Sequence, residues 1–77
     1  MLALPAALRR VLDLLAGSSS GASEALLMAH GFTADVLDAL ILAGLASADT
    51  ERMMAGGRVI DVRRFKITAA GRVALER

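Results

Sequence analysis

Arg63-Arg64-Phe65-Lys66-Ile67-Thr68-Ala69-Ala70-Gly71-Arg72 changes its period in the middle, and that change decides the fold. Up to Ile67, apolar and cationic residues alternate, so Phe65 and Ile67 share one face of an extended strand while Arg64 and Lys66 project from the other. At Thr68 a helix-capping residue precedes two alanines, which predicts a short C-terminal helix from Ala69 to about Glu76 with Val73 and Leu75 packing back. Upstream, Val59-Ile60-Asp61-Val62 extends the β-branched run and Gly56-Gly57 supplies a turn, so the mixed stretch Leu45–Met54 is predicted to form the hairpin's other arm. Met53 and Met54 point to opposite faces of that arm and are assigned to strand packing.

Toward the N-terminus the period becomes helical. Pro5 suits the first turn of a helix, and Leu8, Val11, Leu12 and Leu15 follow at the spacing of one helix face, with Gly17 as the stop. Arg9 and Asp13 stand four apart on its polar side. Gly17-Ser18-Ser19-Ser20-Gly21 is a connector by composition, and Ser20 or Ser23 is expected to cap a second helix running to about His30, with Leu26, Leu27 and Ala29 inward. Gly31 permits a sharp turn, Phe32 is expected to plug the core, and Thr33 caps a third helix that buries Val36, Leu37, Leu40 and part of Ile41-Leu42 before Gly44 ends it. The expected fold is therefore α+β and mostly helical, one domain over residues 1–77: three helices, a β-hairpin and a short C-terminal helix.

Composition bounds the function. A chain of 77 residues, 56% hydrophobic and 22% charged, has enough apolar surface to fold but little to spare, and with no cysteine it has neither disulfides nor thiolate zinc sites to add stability. The net charge of +1 hides a division. Met1–Glu51 holds two arginines against six acids, leaving −4, whereas Arg52–Arg77 holds seven cations against two acids, leaving +5. The longest apolar run, Ala39–Ala46, is far short of the ~20 residues of a membrane-spanning helix. Arg9 and Arg10 follow the N-terminal apolar stretch, where a signal peptide would place them before it, so a soluble, cytoplasmic protein with no membrane association is expected.

Two segments resemble winged helix-turn-helix regulators. Thr33 through Ala46, ending in Gly44-Leu45-Ala46, is similar to a recognition helix that closes in Gly-Leu-Val, and Arg63 through Leu75 resembles the second wing strand and Leu-Thr-x-x-Gly-Arg signature of PadR-like and MarR-like transcriptional regulators. The resemblance covers roughly Ser23–Arg77. It implies a winged helix that binds double-stranded DNA, with the third helix in the major groove and the wing against the backbone or minor groove, and it implies a homodimer.

The residues shift the weight of that expectation. Arg52, Arg58, Arg63, Arg64 and Lys66 gather on the hairpin as candidate phosphate contacts, with Arg58 at its tip and Thr33 as a backbone contact at the start of the third helix. Gly56-Gly57 before Arg58 is a turn that could also form a small anion nest. The third helix offers only Asp35 and Asp38 to a groove lined with phosphates, and no Arg, Lys, Asn or Gln occurs between Val11 and Glu51. The expected DNA contact therefore moves from the recognition helix to the wing. The rival reading is a winged-helix module that binds a protein partner through this acidic helix and does not bind DNA. Leu14, Ile41, Leu42, Ile60 and Val62 are the candidate partner surface.

Catalysis finds little support. His30 is the only histidine, better placed to meet terminal carbonyls of the second helix than to act as a base, and with Asp35 and Asp38 it makes an incomplete metal set. The serine-rich connector lacks the lysine of a phosphate loop. No enzyme activity, cofactor or metal is expected.

Overall fold

The computed structural model describes residues 4–76; Met1–Ala3, where the N-terminal apolar stretch begins, and Arg77, counted above in the basic half, lie outside the described residues. The elements run α1 (Ala6–Ala16), β1 (Ala22–Ser23), α2 (Glu24–Ala29), α3 (Ala34–Leu42), β2 (Ala46–Ala55), β3 (Arg58–Ile67) and α4 (Ala69–Leu75). The three strands form one antiparallel sheet in the order β1-β3-β2.

The predicted helical stripe of α1 is the centre of the core. Val11, Leu12 and Leu15 are fully buried, and they meet Leu27, Leu37, Leu40, Ala22, Ala46 and Phe65. No polar or charged side chain is buried among the described residues, so apolar burial carries the fold without desolvated polar groups. Arg9 ties α1 to α4 by donating from Nη1 to the Leu75 carbonyl at 3.4 Å.

The caps follow side-chain chemistry. The hydroxyl of Ser23, not Ser20, accepts the Leu26 amide at 3.1 Å, Thr33 accepts Val36 at 3.3 Å, and Thr68 accepts Gly71 at 3.0 Å. Helices α2 and α3 end alike. The Phe32 amide reaches the Leu27 carbonyl and Gly31 reaches Met28; Leu45 reaches Leu40 and Gly44 reaches Ile41, the paired bonds of a Schellman ending. The connector after α1 is also tied down, with the Ser18 hydroxyl donating to the Gly21 carbonyl at 2.7 Å and the Gly21 amide returning to Ser18 at 3.1 Å.

Several expectations need correction. The described residues are 45% helix and 30% strand, so the fold is α+β but not mostly helical, because each hairpin arm is ten residues long and β1 adds a third strand. Leu26 and Ala29 are exposed: six residues give α2 only one inward position, taken by Leu27. Phe32 is half-buried at the core's edge, and the aromatic plug is Phe65. Val73 is exposed, while Leu75 packs against the core as expected. Met53 and Met54 do not pack in the sheet's interior; they lie on the part of the hairpin that extends past the core.

Candidate nucleic-acid interface

The hairpin's geometry begins at its turn. Gly56 and Gly57 have φ of +58° and +77°, the left-handed pair of a two-residue type I′ loop, whose twist matches that of the flanking strands. Ten cross-strand pairs follow, from Ala55 with Arg58 at the tip to Ala46 with Ile67 at the base. Ala46 and Phe65 are buried at the base, whereas every residue from Asp49 to Asp61 is exposed. The ribbon thus projects from the body, in keeping with molecular dimensions of 49 × 22 × 20 Å.

Alternation sorts the cations between two faces. Arg63 lies on the same face as Phe65, and its guanidinium sits 5.0 Å from the Phe65 ring centroid while Nη1 pairs with Glu24 on α2 at 3.2 Å. Arg52 is on this face too, with Nε 3.8 Å from Asp61 of the opposite strand. Arg58, Arg64 and Lys66 occupy the other face. Arg64 is engaged with Glu51 at 3.3 Å. Among the described residues, Arg58 and Lys66 have no ion pair. The five cations expected to contact phosphate therefore divide into three already compensated by carboxylates and two, Arg58 and Lys66, without an ion pair among the described residues.

Thr33 lies exposed at the start of α3, its oxygen committed to the Val36 amide but its hydroxyl proton free to be donated. Asp35, Asp38 and Leu42 follow at helical spacing on the solvent side of α3; Leu42 is 89% exposed. The partner surface expected from sequence is not contiguous. Leu14 and Ile41 pack against the core, Leu42 stands on α3, and Ile60 and Val62 belong to the ribbon. Arg10 and Arg72, which the sequence reading did not nominate, are also exposed cations without an ion pair among the described residues.

The Thr68-x-x-Gly71 segment has a structural role. The Thr68 hydroxyl donates to the Gly44 carbonyl at 2.7 Å, its amide donates to Leu45 at 3.1 Å, and Gly71 lies so close that a Cβ there would collide with the Leu45 carbonyl. The segment locks α4 and β3 onto the end of α3. His30 is the exposed C-cap of α2, and no group of three metal-ligating side chains occurs among the described residues. No described helix is long and apolar enough to cross a membrane.

In class, then, this is a small α+β domain with a projecting, cation-bearing β-ribbon. Comparison with family models, curated proteins and solved structures finds no match to the chain.

Proposed function

We propose that this protein is a winged-helix DNA-binding protein, a transcriptional regulator or accessory factor, that grips duplex DNA mainly through its ribbon. The observation that carries the reading is the pair Arg58 and Lys66, on one face of a projecting hairpin and without intramolecular carboxylate partners. Supporting it are the order of elements, the tight turn between α2 and α3, and the strand order, which together match the arrangement of a wing following a helix-turn-helix. Thr33 adds a hydroxyl at the α3 N-terminus for a backbone contact.

Charge compensation ranks the contacts. Arg52, Arg63 and Arg64 must give up or share a carboxylate to meet a phosphate, so they add less than Arg58 and Lys66. Each phosphate neutralised on duplex DNA steepens the dependence of log affinity on log salt by ~0.9. Duplex titrations at several salt concentrations should therefore show a slope that falls by about that amount in Arg58→Ala and again in Lys66→Ala, and by much less in Arg63→Ala. No binding at low salt, or a slope indifferent to Arg58 and Lys66, refutes the reading.

The second reading, a protein-binding module, is favoured by one feature: the solvent face of α3 carries Asp35, Asp38 and Leu42 and no cation. Its partner would present a basic surface with an apolar socket for Leu42.

A further inference from the structure

The last three rungs of the ribbon differ in kind from the rest. From Met53 to Ile60 the chain carries four large apolar side chains, no acid and one cation, Arg58, and every residue of the segment is exposed. The nearest carboxylates, Glu51 and Asp61, lie closer to the body and are paired with Arg64 and Arg52. Gly56, Gly57 and Ala55 keep the leading edge slim. Ala55 and Arg58 close the two-residue loop and exchange hydrogen bonds, so Met54 and Val59 behind them form a non-hydrogen-bonded pair, whose Cα atoms stand about 4.5 Å apart. That pair is a compact apolar knob on the face that also bears Phe65, 69% and 62% exposed, while Met53 and Ile60 stand on the opposite face. Apolar surface thus wraps both sides of a projecting tip.

We infer that the tip is a wedge: it enters the minor groove of duplex DNA, where Met54 and Val59 push into a base step, unstack it and kink the duplex. The inference rests on the DNA-binding reading above and adds a preference to it, for duplex that unstacks easily over duplex that does not. Apolar side chains inserted between base steps at the minor groove bend DNA in this way, and the bend folds more of the duplex against the protein.

Size, shape and charge favour that partner. The rungs from Met53 and Ile60 to Ala55 and Arg58 span about 7 Å along the strands, close to the depth of the minor groove, ~7.5 Å. Two strands about 4.8 Å apart, with their side chains, are broader than a groove ~6 Å wide, so entry requires the groove to open. A kink toward the major groove opens it, which couples insertion to bending. Arg58 lies beside the knob, and neither it nor Lys66, farther along the same face, has an ion pair among the described residues, so cations meet the phosphates that flank the opened step.

Other occupants fit less well. A flat protein surface covers one side of the tip and leaves the other wet. A bilayer surrounds the tip, but its headgroups do not reach Lys66, about 27 Å down the strand from Arg58. A duplex entered by the tip runs past the ribbon and meets both cations.

The test uses the full chain and a duplex of about 25 base pairs with a flexible TA step at its centre and a dye at each end. Energy transfer between the dyes should report a bend of about 20–90° in the complex. A duplex with a central mismatch, where unstacking costs less, should bind about tenfold tighter than the matched one. Met54→Thr with Val59→Thr keeps strand-forming residues and removes the apolar knob, so the bend and the mismatch preference should both vanish while the salt slope set by Arg58 and Lys66 stays as it was. Met54→Leu should keep both. Circular dichroism checks that each variant folds, and both positions are exposed and far from the core. A duplex bound with the expected salt slope but left straight overturns the wedge and leaves the DNA reading standing, as does a bend that persists in the threonine variant. Binding to phosphatidylserine vesicles that the threonine variant loses, with the duplex unbent, assigns the tip to a bilayer and also overturns it. No duplex binding at low salt refutes the DNA reading, and the wedge falls with it.

Discussion

Thr68 joins three backbone segments with one hydroxyl and one amide, and Gly71 makes the junction tight enough for both to act. In an exposed helix interior, replacing glycine by alanine stabilises by about 1 kcal/mol. Here the sign reverses, because the added Cβ meets the Leu45 carbonyl and the Ile67 side chain, and overpacking of this kind costs about 1–3 kcal/mol. Gly71→Ala should thus lower the urea midpoint, and Thr68→Ala should lower it as well, its unfolding free energy reduced by about 1–2 kcal/mol for the lost cap and the lost hydrogen bond to the Gly44 carbonyl. A stabilised Gly71→Ala would show that α4 does not press on Leu45. The sequence made Thr68 legible as a cap from local chemistry alone. It could not reveal Gly71's role, because what forbids a side chain there is a carbonyl 26 residues upstream. For the same reason β1 was not legible: Ala22 and Ser23 become a strand only because Phe65 and Arg64 pair with them.

At the scale of elements the ribbon is anchored at one end. Its base shares Phe65 and Ala46 with the core, whereas the outer rungs have only each other, and an isolated two-stranded hairpin is marginal in water. Hydrogen exchange should therefore show protection falling from the Ala46–Ala48 and Phe65–Ile67 segments toward Met53–Ile60. Uniform protection along the ribbon in dilute solution would contradict this. Alternation foretold which cations share a face, since pleat parity is a local property. Which of them were already compensated was not foretold, because Glu24 reaches Arg63 from α2, and the Glu51–Arg64 diagonal depends on the register that Gly56-Gly57 sets. Met53 and Met54 read as packing residues for a similar reason: apolar residues in a strand suggest burial, but only the position of the core shows that the outer rungs overhang it. Met54 and Val59, 69% and 62% exposed, are the extreme case.

Across the whole molecule charge is distributed by element, with −4 over Met1–Glu51 and +5 over Arg52–Arg77. The two halves meet where Glu24 holds Arg63 and Glu51 holds Arg64, so part of the acidic excess is spent inside the molecule. Asp35 and Asp38 are not; they remain exposed on α3 without ion pairs among the described residues. If the ribbon holds DNA, a duplex lying against Thr33 brings phosphates near both carboxylates, within the ~10 Å over which charges still interact at 0.1 M salt. Asp35→Lys with Asp38→Lys replaces two repulsions by two attractions, four charge units in all. Duplex affinity should then rise at low salt, the gain should shrink as salt is added, and the log–log slope should steepen. Both positions are exposed, and Asp35, in the first turn, contributes at most about 1 kcal/mol to α3 through the helix dipole, so the variant is expected to fold. Unchanged affinity would confine DNA to the ribbon and remove α3 from the interface. Loss of binding would make the carboxylates themselves contacts, and the wing-centred reading would fail.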